Sequence, residues 1–293
     1  DFLPEHLIIV GGSYIGLEFA QIYRRFGSQV TVIEMSKQLI SREDEEVSAT
    51  VKEILEDEAI SVELNAECIS FSADGDKILV NTSCHDQQKH ISGSHVLLAV
   101  GRIPNTDDLG LENTDVKSNE RGMIEVDDYL RTSAEGIWAM GECNGRGAFT
   151  HTAYNDFEIV ADTLFGSGQR KVTDRISCYG LFIDPPLGRV GMTESQVKAS
   201  GINALVGRME MSRVGRAKEK GETKGFMKVL INADNKQILG ANILGVGGDE
   251  VIHLLLDMMV AQKEYTVIKN ATHIHPTVAE LVPTLLQDLH PLS

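Results

Sequence analysis

The sequence lacks an excess of basic residues. Its 293 residues include 27 Lys and Arg against 43 Asp and Glu, which leaves a formal net charge of −16 with histidine neutral. A chain this acidic repels phosphate backbones, so we expect it not to bind nucleic acid. The 42% of hydrophobic and 24% of charged residues are ordinary for a folded chain. At roughly 150 residues per domain, the length predicts about two domains.

Long apolar runs are also missing, and we expect no signal peptide. The most apolar windows have the length of a strand or are broken by charge, so we expect no membrane span. Residues 1–5 show neither the basic start nor the apolar stretch of a signal peptide. The chain begins with Asp rather than Met, and a predicted strand follows almost at once, which suggests a fragment of a longer protein.

Cysteine is scarce and scattered. Cys68, Cys84, Cys143 and Cys178 show no CxxC or other spacing that is typical of metal or redox sites. We therefore expect reduced thiols and a cytoplasmic protein. His273 and His275 come with no third ligand at a helpful spacing, so no metal site is predicted.

The beginning of the chain has the pattern of a βαβ unit. A β-branched apolar run at residues 6–10 ends at two glycines, which predicts a buried parallel strand. A helix is predicted for residues 15–26, followed by a second strand at 29–34. This order predicts a parallel, doubly wound sheet. The apolar positions that recur at helical spacing are Ile15, Phe19, Ile22, Tyr23 and Phe26.

Further elements follow with less regular spacing. A helix is predicted at 44–58 and strands near 61–64, 66–73, 77–82, 96–100 and 136–141; a second helix is predicted at 151–165 and a linker at 166–168. Beyond the linker, strands at 226–231 and 237–244 indicate a hairpin in an α+β region. A helix at 250–261 is apolar nearly all round and is expected to be buried. A last helix is predicted at 277–289, and Pro283 is expected to bend or end it.

The glycine-rich turn at residues 11–16, here called the glycine turn, nearly matches GxGxxG. Ser13 stands where the second glycine is expected, and its hydroxyl has the chemistry to donate to phosphate. Glu34 ends the second strand, where a carboxylate would bind the ribose 2′-hydroxyl and repel a 2′-phosphate. NAD is therefore favoured over NADP, although Lys37 and Arg42 keep NADP open. The alternative is a tight turn followed by a solvated glutamate.

Four blocks together resemble a known family. GGSYIGLEFA at 11–20, AVGRIPN at 99–105, TSAEGIWAMGE at 132–142 and HIHPTVAE at 273–280 occur in this order. They resemble the flavin-dependent pyridine nucleotide–disulfide oxidoreductases, the family of dihydrolipoamide dehydrogenase and mercuric reductase. The resemblance implies an α/β fold with a Rossmann-like, doubly wound NAD-binding domain and an α+β dimerisation domain. The expected division is an NAD(P)-binding domain at 1–103, a second segment of an FAD domain at 104–168 and a dimerisation domain at 169–293.

The resemblance also implies which residues contact cofactors. Gly11, Gly16 and Glu34 would hold the dinucleotide, whereas Gly141 and Glu142 would contact the ribityl or phosphate part of FAD. The family usually has Gly-Asp at the latter motif, and Glu142 keeps the carboxylate but adds a methylene. The complete set of expected cofactor-binding residues is Gly11, Gly12, Ser13, Tyr14, Ile15, Gly16, Glu18, Glu34, Gly101, Gly141, Glu142, Thr152 and Ala153.

The last block holds a candidate acid–base pair. Pro276 suits the first position of a helix, which would place His275 just before the helix N-terminus. Glu280 is then close enough to accept a hydrogen bond from one imidazole nitrogen and leave the other to exchange a proton. A helix-capping histidine is the alternative. The resemblance implies that His275 and Glu280 are catalytic, that the C-terminal domain forms a homodimer and that the histidine serves the partner's site.

The redox CxxxxC of the family is not in the sequence, because its nearest cysteines, Cys68 and Cys84, are sixteen positions apart. We therefore expect part of an NAD(P)H-dependent flavoprotein disulfide oxidoreductase that lacks the N-terminal FAD domain. Such a fragment would bind NAD, hold FAD weakly or not at all, and be inactive alone. Two alternatives remain open: a dimeric nucleotide-binding module without enzymatic activity, and a transhydrogenase-like flavoprotein without a redox disulfide.

Overall fold

The computed structural model describes residues 2–84 and 87–292. These residues fall into two compact units. The first unit contains the chain up to Val100 together with the chain from Ser177 onward, and the second contains Gly101–Ile176. Each unit is described by itself below.

The N-terminal half of the first unit is built on a parallel sheet. Its elements are β1 (His6–Val10), α1 (Tyr14–Phe26), β2 (Gln29–Ile33), α2 (Glu45–Asp57), β3 (Ser61–Glu63), β4 (Glu67–Asp74), β5 (Lys77–Cys84), β6 (Gln87–Gly93) and β7 (His95–Leu98). β1 lies between β2 and β7 and pairs with both in parallel, and β3 follows β2. β4, β5 and β6 form an antiparallel sheet of their own. The predicted doubly wound α/β fold is confirmed, whereas β6 was not predicted.

The buried face of α1 is not the one that carries most of its recurring apolar residues. Its buried residues are Gly16, Leu17, Ala20 and Gln21. Of the recurring apolar residues, Ile15, Phe19, Ile22 and Phe26 are between 39% and 71% exposed, whereas Tyr23 packs against the core. Helical spacing gives the period of a pattern but not the side that packs, and the small residues of α1 allow close approach to the sheet. A Cβ on Gly16 would lie 2.0 Å from the Gly11 carbonyl oxygen.

The second unit is largely irregular. Its one long helix among the described residues is α3 (Thr150–Phe165), and short 3₁₀ turns lie at Leu111–Asn113, Glu142–Asn144 and Val172–Asp174. The strand predicted at 136–141 is absent from this described segment, where Arg131 and Trp138 form a single bridge. A small core surrounds Leu130 and Ile159. Without a neighbouring strand to pair with, the apolar run is too short to form a sheet.

The C-terminal half of the first unit has an antiparallel sheet with strands β8 to β13. Its elements are β8 (Cys178–Leu181), β9 (Leu187–Gly191), α4 (Glu194–Ser200), β10 (Ala204–Glu210), α5 (Gly215–Lys220), β11 (Phe226–Asn232), β12 (Ile238–Leu244), α6 (Gly248–Val260), α7 (Thr266–Lys269), α8 (Val282–Leu285) and β13 (Leu289–Pro291). The strand order is β13-β10-β11-β12-β9-β8. The predicted hairpin is present as β11 and β12.

Two expectations for this half are wrong. In α6 the buried residues are Gly248, Ile252 and Leu255, while Val260 is 65% exposed, so the helix is not buried all round. The long final helix is also absent from the described chain. A 3₁₀ turn at Ala279–Leu281 leads into α8, and Pro283 occupies the first turn of α8, where its missing N–H costs nothing. β13 instead pairs with β10.

Within the described residues, no helix combines the length and the apolar character that crossing a bilayer requires.

Candidate functional site

The glycine turn is closed so tightly that two of its positions admit only glycine. Gly11 has a φ of +115°, and a Cβ there would lie 2.4 Å from the Ala99 carbonyl oxygen. A Cβ on Gly16 would lie still closer to the Gly11 oxygen. The Gly11 N–H donates to Ile33 at the end of β2, at 2.9 Å. The turn is therefore a rigid backbone loop between β1 and α1.

Glu34 lies directly against the glycine turn. One carboxylate oxygen accepts the Gly12 N–H at 2.6 Å, and the other accepts the Ser36 N–H at 2.7 Å. A Cβ on Gly12 would approach the Cβ of Glu34 to 2.9 Å. A carboxylate offers about four lone-pair positions, so two remain for the hydroxyls of a ribose. The structure brings together the glycines and the acid that the sequence associates with a dinucleotide.

Ser13 precedes α1 and supplies an exposed hydroxyl at the helix start. Its backbone is extended, and within the described residues its side chain makes no capping hydrogen bond. The first N–H groups of a helix have no partner inside the helix and carry a partial positive charge. This combination suits a diphosphate, so the chemistry of the turn fits a pyridine nucleotide without basic side chains.

Other predicted residues of this region face the C-terminal half of the unit. The Tyr14 hydroxyl donates to Glu43 at 3.4 Å, and its ring meets the Tyr179 ring edge-on at 5.5 Å. Burial and the nearby Tyr179 raise the pKa of Tyr14. Glu18 accepts the Phe182 N–H at 2.9 Å, whereas Ile15 is 56% exposed. Contacts of these three residues with a cofactor stay a prediction.

The second unit holds the residues expected near FAD. Glu142 pairs with Arg102 at 2.6 Å, and both side chains are partly exposed. They border a cleft of about 320 Å³ whose lining residues are Arg102, Ile103, Pro104, Asn105, Met123, Glu142 and Cys143. A guanidinium beside a carboxylate has the donors and acceptors for phosphate and ribityl hydroxyls. The chemistry of this cleft fits that part of FAD.

Four further expected residues lie in the neighbouring backbone. Gly101 and Gly141 have φ values of +119° and +81°. Thr152 bridges the start of α3, because its hydroxyl donates to the Phe149 carbonyl at 2.7 Å and accepts the Phe149 N–H at 3.1 Å. Ala153 follows on the same turn, 3.6 Å from where a Cβ of Gly141 would lie. The Thr152 hydroxyl therefore stabilises the first turn of α3. Contact of Thr152 or Ala153 with a flavin stays a prediction.

Asp156 supports the segment of the expected FAD contacts, and the sequence did not reveal it. It is 1% exposed, and one oxygen accepts from the Gly141 N–H and from the Asn144 side chain, both at 2.8 Å. Its other oxygen pairs with Arg175. The only sequence signal is its helical spacing from Thr152 and the buried Ile159. Asp156 thereby fixes the backbone at Gly141, next to Glu142.

His275 and Glu280 are in contact. Nδ1 of the imidazole lies 2.9 and 3.1 Å from the two carboxylate oxygens. The histidine side chain is 79% exposed and the glutamate 15%. The carboxylate assigns the proton to Nδ1 and leaves Nε2 to exchange one with a ligand. The geometry fits an acid–base pair, and the catalytic role stays a prediction.

The helix start expected at Pro276 is wrong. The helical turn begins only at Ala279, and Thr277 organises the loop instead. Its hydroxyl donates to the Ile274 carbonyl at 2.7 Å and accepts the Glu280 N–H at 3.2 Å. A hydroxyl competes well for such local backbone bonds, which turns the chain three residues later than proline alone suggested. Glu280 is aimed at His275 by this turn.

Cys143 lines the same cleft as Arg102 and Glu142. Its Sγ donates to the Met140 carbonyl at 3.3 Å. Burial raises the pKa of Cys143, and Asp156 adds to the shift. A raised pKa leaves the thiol protonated and poorly nucleophilic.

Comparison with known proteins identifies relatives along nearly the whole chain. The family model for pyridine nucleotide-disulphide oxidoreductase matches residues 1–156, and the model for the dimerisation domain of that family matches residues 178–286. The probable pyridine nucleotide-disulfide oxidoreductase RclA of Escherichia coli is 36% identical over 95% of this chain and 62% of its own length. Mercuric reductase of Streptomyces lividans is 33% identical over 97% and 60%.

Solved structures agree. The HOCl-induced flavoprotein disulfide reductase RclA from Escherichia coli superposes with a TM-score of 0.91 at 35% identity, covering 98% of this chain and 65% of that one. LpdA from Mycobacterium tuberculosis gives a TM-score of 0.90 at 25% identity, covering 98% and 62%. The chain thus spans about three fifths of the length of the curated relatives. FAD and NAD(P) are the cofactors of this family. The chain belongs to the pyridine nucleotide-disulphide oxidoreductase family.

Proposed function

We propose that this chain provides the pyridine nucleotide-binding and interface parts of an NAD(P)H-dependent flavoprotein disulfide oxidoreductase. The observation that carries the proposal is the contact of Glu34 with the Gly12 N–H inside the glycine turn. It sets a carboxylate beside a helix N-terminus, which is the arrangement that ribose and diphosphate need. Family membership and the flavoprotein disulfide reductase named among the structural relatives support the same reaction class.

The nucleotide is NAD rather than NADP. A 2′-phosphate on the adenosine ribose would lie against the Glu34 carboxylate, and the two negative charges would repel each other. Lys37 and Arg42 are exposed and lie beyond Glu34 in the chain. An NADP-specific site would need such cations to face the phosphate.

The His275–Glu280 pair holds and transfers a proton. Glu280 keeps the imidazole oriented, and Nε2 gives a proton to or takes one from a sulfur. Flavin, when bound, supplies the hydride acceptor of this chemistry. Arg102, Gly141 and Glu142 would hold its ribityl and phosphate groups.

The C-terminal half forms a homodimer. Its match to the dimerisation domain of the family supports this, as do the partly exposed apolar side chains of α6, among them Val260. The division into domains at 1–103, 104–168 and 169–293 belongs to the same proposal.

The experiment compares two electron acceptors in the complete, flavin-loaded oxidoreductase of which we propose this chain to be a part. His275→Gln should lower NADH oxidation with a disulfide acceptor by about 100-fold or more, because acid–base catalysis typically contributes that much. With a one-electron dye, which needs no thiol proton, the rate should stay near that of the parent. His253→Gln, an exposed histidine of α6, is the matched control.

Other outcomes would separate the alternatives. Equal loss with both acceptors would contradict the proton-transfer role of His275. NADH oxidation by the dye without disulfide reduction in the parent enzyme would favour a transhydrogenase-like flavoprotein. Nucleotide binding without flavin reduction would favour a non-enzymatic module.

A further inference from the structure

A buried polar cluster joins the two halves of the first unit. It consists of Tyr14, Glu43, Tyr179 and Arg189, and is called the Glu43 cluster here. Glu43 and Arg189 have side chains that are 0% and 1% exposed. Charged residues are almost never buried to this degree unless they are paired, so the cluster needs an explanation.

One oxygen of Glu43 gathers hydroxyls from both halves. It accepts from the Tyr14 hydroxyl at 3.4 Å and from the Tyr179 hydroxyl at a short distance. The other oxygen lies 3.6 Å from Nε of Arg189. Among the described residues, that second oxygen and Nε and Nη2 of Arg189 have no hydrogen-bond partner. Arg189 is held by one bond, from Nη1 to the Ala241 carbonyl at 3.2 Å.

The cluster is not a good way to gain stability. Burial raises the pKa of Glu43, although Arg189 and Tyr179 act in the opposite direction. Burial, followed by the charge of Glu43, also raises the pKa of Tyr179 to about 12. Replacing a buried ion pair by packed apolar groups is often neutral or stabilising. The cluster is better explained by what it holds in place.

What it holds is the start of α1. Tyr14 is the first residue of that helix and the fourth of the glycine turn. The segment that carries Glu43 is tied to the same turn, because the Ile40 N–H donates to the Gly12 carbonyl and the Glu43 N–H to the Ile40 carbonyl, both at 2.8 Å. The glycine turn is thus connected to Glu43 through the backbone and through the Tyr14 side chain.

The C-terminal half holds Glu43 from the other side. Tyr179 lies in β8 and Arg189 in β9, at neighbouring positions that pair across the two strands. Asp44 strengthens the junction by accepting the N–H groups of Glu194 and Ser195 at 2.9 and 3.1 Å. The position of Tyr14 therefore depends on residues more than 160 positions further along the chain.

We propose that Glu43 is a positioning residue for the pyridine nucleotide: with Tyr179 and Arg189 it holds Tyr14 and so fixes the first turn of α1, whose N–H groups bind the diphosphate. The inference rests on the proposed function of the glycine turn. It assigns to the C-terminal half a contribution to nucleotide affinity in addition to its interface.

The test measures NADH affinity and stability separately. Tyr179→Phe removes one hydroxyl but keeps the ring against Tyr14, and should raise the Kd for NADH about fivefold, the effect of one hydrogen bond. The double variant Glu43→Gln with Arg189→Met removes both buried charges together, which avoids leaving one of them unpaired. It should raise the Kd about tenfold with little change in the thermal midpoint of the nucleotide-free protein. Tyr265→Phe is the matched control.

The outcomes separate the two proposals. Kd values like those of the parent in both Tyr179→Phe and the double variant would overturn the positioning role of Glu43 and leave the proposed function standing. The same conclusion holds if only the thermal midpoint of these variants falls. Absence of NADH binding by the parent chain would overturn the proposed function of the glycine turn and this inference with it.

Discussion

The glycine turn and the loop of His275 and Glu280 hold their functional groups in opposite ways. In the turn, backbone atoms leave no room for a Cβ at Gly11 or Gly16, and Glu34 is bound to backbone N–H groups. In the loop, an imidazole that is 79% exposed is oriented by one carboxylate. The difference teaches that the proposed nucleotide site depends on packing, whereas the proposed proton transfer depends on a single side-chain contact.

The largest expected effect tests the packing of the turn. Gly16→Ala places a Cβ 2.0 Å from the Gly11 carbonyl oxygen, and we expect a loss of about 3 kcal/mol in the free energy of unfolding together with loss of NADH binding. Urea unfolding and NADH fluorescence measure the two effects. Gly215→Ala is the control, because a Cβ there meets nothing within 4 Å. Equal stability of the two variants would contradict a packing-dependent turn.

A smaller effect tests how the turn's half of the unit is fastened to the C-terminal half. Burial alone would raise the pKa of Asp44, but hydrogen bonds from Glu194 and Ser195 outweigh it and lower the pKa below 3.8. A carboxyl group whose pKa is lowered by folding stabilises the fold at a pH above its unfolded-state pKa. This contribution is lost as the pH falls through its folded-state pKa. Asp44→Asn should therefore cost about 1–2 kcal/mol at neutral pH and less below pH 3.8.

The adjacent Glu43 distinguishes the pH dependence that Asp44 causes from a general loss of stability in acid. Its pKa is raised, so its contribution to stability increases as the pH falls through the window above 4.5 and opposes that of Asp44. Urea unfolding between pH 3 and 7 measures both. Asp57→Asn, a surface partner of Lys224, serves as the control. An identical acid response of Asp44→Asn and the parent would contradict the junction described here.

The smallest expected effect concerns the other side of the comparison. His275→Gln changes an exposed side chain, so the free energy of unfolding should stay within about 0.5 kcal/mol of the parent, while disulfide-coupled turnover falls as described above. Thermal and urea unfolding check the first part. A loss of stability as large as that of Gly16→Ala would mean that the loop is held by packing after all.

Local signals explain which parts of the fold could be predicted. The β1-α1-β2 unit follows from an apolar run, two glycines and helical spacing within thirty residues. The same spacing could not tell which face of α1 packs. It also predicted one long helix at 277–289, where the structure has a 3₁₀ turn and the short α8. Those outcomes depend on partners such as β10, which lie far away in the sequence.

The candidate sites follow the same rule. His275 and Glu280 are five residues apart, and their contact was expected. Glu34 lies 22 positions from Gly12 but is placed by a recurring βαβ geometry. Glu43 and Tyr179 are 136 positions apart, and no motif connects them. Buried polar side chains whose partners come from distant elements leave no pattern in the sequence.

The most direct test of the account is a titration of the chain with NADH and with NADPH, in the parent and in Glu34→Gln. The parent should bind NADH at least about tenfold more tightly than NADPH, because in the proposed site the Glu34 carboxylate would accept ribose hydroxyls and repel a 2′-phosphate. Glu34→Gln should weaken NADH binding and reduce the ratio between the affinities for NADH and NADPH. Tighter binding of NADPH by the parent, or an unchanged preference in Glu34→Gln, would contradict the role assigned to the glycine turn and its glutamate.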